Sequence, residues 1–339
     1  MRLRSGVAID LGTVNTLVHV VGHGIVIEEP SAIAVSAATG AVMAVGSEAD
    51  ALTDKEPQGV RVIHPLRDGV IADLDATVAM LQAFLQHARF RRRLRRTDAV
   101  VCLPVETTFV ERRSVVVAAE ALKPRCRVQL IDEPVAAAAG AGFDLTAGSG
   151  AFIVDVGGGT TEAAVLAGGH VVRTRSLRLG GNAMDDAIVR DVRQQYDLLI
   201  GRNAARSLKM TLGLTDDVLA EAEAVGVDAA RRVPRVQRIS AGLVARAIEP
   251  TVAAITGAVE EMLSDIPPNL AEEVFRGKIR LAGGGALLPG LAYRIEAAAD
   301  VPVVVVDDPL RCVIRGAAQI LERGILAALA PVTVERRPR

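Results

Sequence analysis

Residues 8–16 read Ala8-Ile9-Asp10-Leu11-Gly12-Thr13-Val14-Asn15-Thr16. An apolar strand pattern runs into an aspartate, a glycine turn and two hydroxyls, which is the composition of half a phosphate cradle. The stretch lacks the lysine of a P-loop, and no helix signal follows it. The pattern returns 145 residues later as Ile153-Val154-Asp155-Val156-Gly157-Gly158-Gly159-Thr160-Thr161. Asp10 pairs with Asp155, Gly12 with Gly157, Thr16 with Thr161, and the match runs on through Val20 with Val165 and Gly24 with Gly169.

Each copy reads as strand, glycine turn, strand, turn, strand. In the second copy the strands are predicted at about 151–156, 160–166 and 170–176, with Ala167-Gly168-Gly169 as the outer turn. The repeat predicts two related domains, each opening with a β-meander. Helical patterns follow both. Residues 73–96 place Val78, Leu81, Phe84, Leu85 and Ala88 on one face, with Asp73 or Asp75 as cap. Asn182 is predicted to cap a helix from Ala183 to about Tyr196. Pro134 opens an alanine-rich helix. Residues 279–282 form a short strand ending in Gly283-Gly284-Gly285, with a helix from about Pro289. Residues 301–306 read as a buried strand, and residues 316–323 lie in a late helix. Alternating strands and helices give an α/β class with sheets covered by helices.

The 339 residues suffice for two domains and a large core. Half of them are apolar and the formal net charge is -1, which argues against disorder and against a dedicated nucleic-acid binder. No uninterrupted apolar run reaches the ~18 residues of a membrane span. MRLRSG leads at once into a strand and does not read as a signal peptide. Cys102, Cys126 and Cys312 show no metal spacing and read as reduced thiols of a cytosolic protein. The preference for arginine over lysine fits genomic base composition.

If the two meanders flank a cleft, their turns face one another. Backbone N–H groups of Gly12-Thr13-Val14 and Gly157-Gly158-Gly159 then grip a polyphosphate from both sides. Asp10 and Asp155, at matching strand ends, are suited to a hydrated Mg²⁺, which takes one or two carboxylates and keeps its waters. The third glycine turn, Gly283-Gly284-Gly285, offers a flat surface to a base or ribose.

With these motifs in place, the chain resembles the actin and heat-shock-chaperone ATPase superfamily, and within it the MreB/Mbl family of bacterial actins. The resemblance covers nearly the whole chain, including GHGIVIEEPSAIAV, IHPLRDGVIADLDAT, LIDEPVAAAAGAG, PPNLAEEV, AGGGALLPG and DDPLRCVIRGA. It implies an actin-like ATPase fold: two related domains, each a mixed RNase H-like sheet with a smaller inserted lobe, around a nucleotide cleft. The implied subdomains are 1–31 with 66–140, to which a helix at about 312–328 returns; 32–65; 141–181 with 244–311; and 182–243. A basic tail covers 329–339. The implied activity is slow ATP hydrolysis with Mg²⁺, coupled to head-to-tail filaments that do not close. Such filaments lie at the inner face of the cell membrane and organise cell-wall synthesis and cell shape.

Carried over by resemblance, Gly12, Thr13, Val14 and Asn15 form the first phosphate loop, and Gly157, Gly158, Gly159 and Thr160 the second. Gly284, Gly285, Ala286 and Leu287 form the adenosine turn. Glu133 stands where the family polarises the attacking water, with Thr160 orienting it; such catalysis is mostly positioning and charge stabilisation. A carboxylate at a helix start is also what the helix dipole favours. The family's Thr-Ala-Glu-x-x-Lys segment is here Ala204-Ala205-Arg206-Ser207-Leu208-Lys209, so Lys209 fits while Arg206 reverses the charge of a ribose-contacting glutamate. Val225 to Arg232 likewise replaces an Arg-Gly-Arg-Asp segment.

The run His87 to Arg96 holds six arginines around Phe90 and Leu94. Phe90, Arg91, Arg92, Arg93 and Leu94 are predicted to meet an anionic bilayer, each arginine adding about 1 kcal/mol near the surface. The alternative is a solvated helix end whose cations suit the dipole. Three rival functions stay open: a small-metabolite kinase on the same fold, a chaperone-like ATPase, and a weakly or non-hydrolysing scaffold paralogue. The segment 31–65 is short for a kinase substrate lobe, and the chaperone reading, which would need a peptide-binding domain after the ATPase, is expected to rank low.

Overall fold

The computed structural model of the chain describes residues 6–55, 57–87, 98–122, 127–217, 219–325 and 329. The run carrying Phe90, Arg91, Arg92, Arg93 and Leu94 lies outside the described residues, as do Cys126 and all of the tail beyond Leu329.

The first half contains β1 (Gly6–Leu11), β2 (Asn15–Val20), β3 (Gly24–Pro30), β4 (Ile33–Ser36), β5 (Val42–Val45), α1 (Ser47–Asp50), β6 (Val60–Ile63), β7 (Leu66–Arg67), β8 (Val70–Ile71), α2 (Leu74–His87), β9 (Asp98–Leu103), α3 (Phe109–Leu122), β10 (Arg127–Asp132) and α4 (Glu133–Gly140). The second half contains β11 (Gly150–Val156), β12 (Thr161–Ala167), β13 (His170–Leu177), α5 (Gly181–Tyr196), β14 (Leu198–Leu199), α6 (Arg202–Leu212), β15 (Glu221–Asp228), β16 (Pro234–Ser240), α7 (Ala241–Ser264), α8 (Pro268–Gly277), β17 (Ile279–Ala282), α9 (Leu291–Ala299), β18 (Val303–Val305) and α10 (Cys312–Arg323).

Two five-stranded sheets have the same architecture, ordered β10-β9-β1-β2-β3 and β18-β17-β11-β12-β13. In each, an antiparallel meander adds two parallel strands beside its first strand. The repeat holds in register: Asp10 faces Leu17 and Leu11 faces Thr16, while Asp155 faces Glu162 and Val156 faces Thr161. Two three-stranded sheets, β5-β4-β6 and β14-β15-β16, are inserted into the halves. The two related domains expected from the repeat are observed, and the mixed sheets with smaller inserted lobes match what the resemblance implies.

One apolar cluster joins the two sheets. Ala8, Cys102 and Ile131 from the first and Ile153, Ala164 and Ala282 from the second close on the alanines of α4 and on Cys312, Ile314 and Ala317 of α10. Helices α4 and α10 pass so closely that a Cβ on Gly316 would collide with the Ala136 carbonyl. This explains the alanine run after Pro134: small side chains let the two helices carry both sheets on one hinge-like pair. Cys102 and Cys312 are buried free thiols within it.

Several local expectations are corrected. Gly180, not Asn182, stands at the start of α5, because the Gly181 and Asn182 N–H groups donate to the Gly157 and Gly158 carbonyls. The helix expected from Pro289 begins at Leu291. The strand expected at 301–306 is shorter, and Val305 is exposed, because β18 is a sheet edge. Asp73 rather than Asp75 caps α2, its Oδ1 accepting the Ala76 N–H at 2.9 Å. Helix α7 is long and apolar enough to cross a membrane by length and composition. Its apolar sequence is nonetheless interrupted by Arg246 and Glu249. Val244, Ile248, Val252, Ile255 and Val259 are fully buried, so the second domain's core accounts for its apolar face.

Candidate functional site

The matched meanders place their glycine turns opposite one another. Val14 packs directly on Gly158, where a Cβ would collide with its Cγ2. A Cβ on Gly159 would stand 2.5 Å from Thr13 Oγ1 and 3.0 Å from the Asp68 backbone. Thr13 Oγ1 also accepts the Gly69 N–H at 2.9 Å, so the β7–β8 turn closes the side of the cleft. Each turn is braced from behind. Ser31 Oγ donates to the Gly12 carbonyl at 2.7 Å, and Thr161 Oγ1 donates to the Leu179 carbonyl at 2.8 Å.

Beneath the turns lies a cavity of about 360 Å³, within the size range of small-molecule sites. Its lining brings together most of the residues singled out from sequence: Asp10, Gly12 to Asn15, Glu133, Asp155, Gly157 to Thr160, Arg206, Lys209, Gly284, Gly285 and Leu287. Ala286 is buried behind the turn formed by Gly284–Leu287 and does not line the cavity. Sequence reading missed most of the apolar end of the cavity, where Met210, Leu288, Pro309 and Leu310 join the expected Leu287. Apolar side chains on a loop and on the polar-looking helix α6 gave no pattern to find them by.

Three carboxyls, Asp10, Glu133 and Asp155, line the floor, and a fourth, Glu162, is buried close to Glu133 without reaching the cavity. Burial raises Asp10 to about 7, with Asp155 adding to it, and burial raises Asp155 to about 6. Glu133 is pushed well above the usual carboxylate range by burial and then by Glu162, Asp10 and Asp155. Glu162, a further residue that sequence reading missed, is pushed up to about 8 by burial. A set of buried acids facing a cleft is a place where a cation relieves strong desolvation. Among the described residues, no group of three or more His, Cys, Asp or Glu could hold a metal ion. Two aspartates with the remaining ligands from water and phosphate fit Mg²⁺.

Lys209 and Arg206 reach the cavity from α6. Lys209 Nζ lies 2.7 Å from Asp185 Oδ1 and donates to the Gly181 carbonyl at 2.8 Å. Asp185 is buried, and Arg206 Nε stands 3.6 Å from its Oδ2. The lysine therefore ties α6 to the start of α5, beside the second glycine turn. Burial lowers the lysine and raises Asp185, and their attraction opposes both shifts.

The sequence profile of the family described as MreB/Mbl protein matches residues 4–326. The chain is 39% identical over 322 residues to the cell shape-determining protein MreB of Escherichia coli strain K12, covering 93% of this chain and 92% of that protein. Solved structures of MreB5 of Spiroplasma citri are similar throughout. The form bound to ADP has a TM-score of 0.89 at 29% identity, covering 96% of this chain and 99% of that one. The form bound to AMPPNP has a TM-score of 0.89 at 30% identity, covering 97% and 99%. The MamK double helical filament shares the fold at a TM-score of 0.76 and 23% identity, covering 94% and 99%.

Proposed function

The chain belongs to the MreB/Mbl family of actin-like, cell shape-determining proteins, and on that premise we propose that it binds ATP with Mg²⁺ in the cleft and forms filaments through head-to-tail self-association. The observation that carries this reading is the apposition of Thr13 and Gly159 above Asp10 and Asp155. Nucleotide-bound MreB5 supports ATP or ADP as the ligand.

In this reading the backbone of Gly12 to Asn15 and of Gly157 to Thr160 receives the phosphates, and the turn at Gly284 to Leu287 meets the base. Met210 and Leu310 cover its apolar face. Asp10 and Asp155 hold the cation, which when bound neutralises developing phosphate charge. Glu133 accepts a proton from water, and Thr160 orients that water. Lys209 keeps α6 against the second turn. Hydrolysis is slow and coupled to assembly.

The four-subdomain division at 1–31 with 66–140, 32–65, 141–181 with 244–311, and 182–243 is part of the same proposal. So is attachment to the cytoplasmic face of the membrane through Phe90, Arg91, Arg92, Arg93 and Leu94, and service to the cell-wall synthesis machinery. Electron microscopy of the purified chain on anionic liposomes, with and without ATP, tests the assembly. Filaments on the vesicles with ATP support it; dispersed protein under both conditions contradicts it. A second reading, a scaffold that binds nucleotide without hydrolysing it, is favoured by Arg206, which lines the cavity with a cation paired to Asp185.

A further inference from the structure

Glu162 breaks the symmetry of the repeat. At the matching register of the first meander stands Leu17, equally buried and facing Asp10 as Glu162 faces Asp155. Glu162 is 1% exposed on a strand otherwise built from Thr, Ala, Val and Leu. A buried carboxyl in such a strand is costly without a partner. Its Oε1 has one across the cleft: it accepts the Val105 N–H at 2.9 Å, from the loop between β9 and α3 in the other domain. Oε2 is buried with no hydrogen bond of good geometry, and its cross-strand neighbour on the far side is Ser176.

The Val105 loop is itself bound to the site. Pro104 and Thr160 both press on Gly69, whose Cβ would stand 2.7 Å from Pro104 Cγ and 2.9 Å from Thr160 Cγ2. Behind the loop, Arg112 donates to the Val105 carbonyl at 3.2 Å and to the Thr107 carbonyl at 3.2 Å. The same arginine is the cation that acts on Asp132, the residue before Glu133 and the start of α4. Hydrogen bonds therefore run from Glu162 through Val105 to Arg112, and the charge of Arg112 acts on Asp132 at the helix start that carries Glu133. A set of packing contacts runs through Pro104 and Gly69 to Thr160.

We propose that Glu162 is a positioning residue for hydrolysis: by holding the Val105 loop across the cleft it sets Glu133 and Thr160 relative to each other when the two domains close. The inference rests on the reading of the cleft as an ATP site. It assigns Glu162 no contact with nucleotide and no proton transfer.

The test uses the full-length chain as wild type, Glu162→Gln and Glu162→Leu. Glutamine keeps an acceptor for Val105; leucine is the residue the other meander tolerates at this register, so the variant is expected to fold. Phosphate release with Mg²⁺-ATP gives kcat and KM, and amide hydrogen exchange follows the peptide spanning Val105. Glu162→Leu should lower kcat about tenfold or more, with KM changed less than about threefold, while Glu162→Gln stays near wild type. Exchange at Val105 should quicken in the leucine variant alone. Unchanged kcat in Glu162→Leu overturns the inference. So does equal loss in both variants, which would assign the effect to charge rather than to the link, and so does KM rising as much as kcat falls. A wild type that binds no Mg²⁺-ATP overturns the nucleotide reading and the positioning role with it. In that case the exchange comparison still decides whether the carboxylate ties the loop, and unchanged exchange removes that too.

Discussion

Thr13 and Gly159 meet across the cleft so closely that the hydroxyl of one occupies the space a Cβ on the other would need, 2.5 Å away. Two loops related by an internal repeat thus close on each other through a side chain on one and a missing side chain on the other. Gly159→Ala should force the turns apart, because the Asp68 backbone on the far side cannot yield as a side chain end does. Overpacking of this kind costs about 1–3 kcal/mol. The expected result is a lower unfolding midpoint and ATP binding weakened about tenfold or more, measured by calorimetry. An alanine variant with wild-type affinity would show that the loops do not need to approach this closely.

Lys209 and Asp185 form the ion pair that holds α6 to α5, and both are buried. Lys209→Met leaves Asp185 without its main partner, which should cost about 3–5 kcal/mol. Arg206, at 3.6 Å, is too exposed to replace it. Urea unfolding should show the loss, and the double variant Lys209→Met with Asp185→Leu should recover part of it.

Asp10 and Asp155 predict a pH dependence of the ligand-free chain. Burial raises them to about 7 and about 6 from 3.8, so between those values the folded state binds more protons than the unfolded one. The stability they contribute is present below the unfolded value and is lost as pH rises through about 6 to 7. In EDTA the melting temperature should fall as pH rises from about 4 to about 7 and level off above that, and Mg²⁺-ATP should remove most of that fall, because a cation favours the ionised pair. A midpoint rising over that range without ligand would contradict the coupling.

Glu133→Ala should slow hydrolysis about 10²-fold or more while nucleotide stays bound, since a general base contributes about 10²–10⁴. Single-turnover phosphate release and a binding titration on the same protein separate the two. Unchanged turnover would remove Glu133 from the chemistry.

The repeat made the frame of the molecule legible. A strand ending in Asp-x-Gly at Asp10 and again at Asp155 marked two meanders, which the structure holds in one register. Features set by tertiary contact were not legible. A glutamate in Thr161-Glu162-Ala163 reads as a solvent-facing strand position until the Val105 loop is found against it. Asn182 looks like a cap, but the adjacent glycine turn supplies the acceptors for the start of α5. Asp185 looks like any acid on a helix face; only the approach of α6 makes it the buried partner of Lys209. Met210 and Leu310 lie on separate elements, and only the fold brings them over one cavity.

The most direct measurement is calorimetric titration of ATP into wild type and Asp155→Ala, with Mg²⁺ and with EDTA. Wild type should bind more tightly with Mg²⁺ than without it. Asp155→Ala should lose most of its affinity in Mg²⁺ and little in EDTA, leaving the two conditions alike. Equal loss in both conditions, or a wild type indifferent to Mg²⁺, would contradict a cleft in which paired aspartates hold the cation on the phosphates.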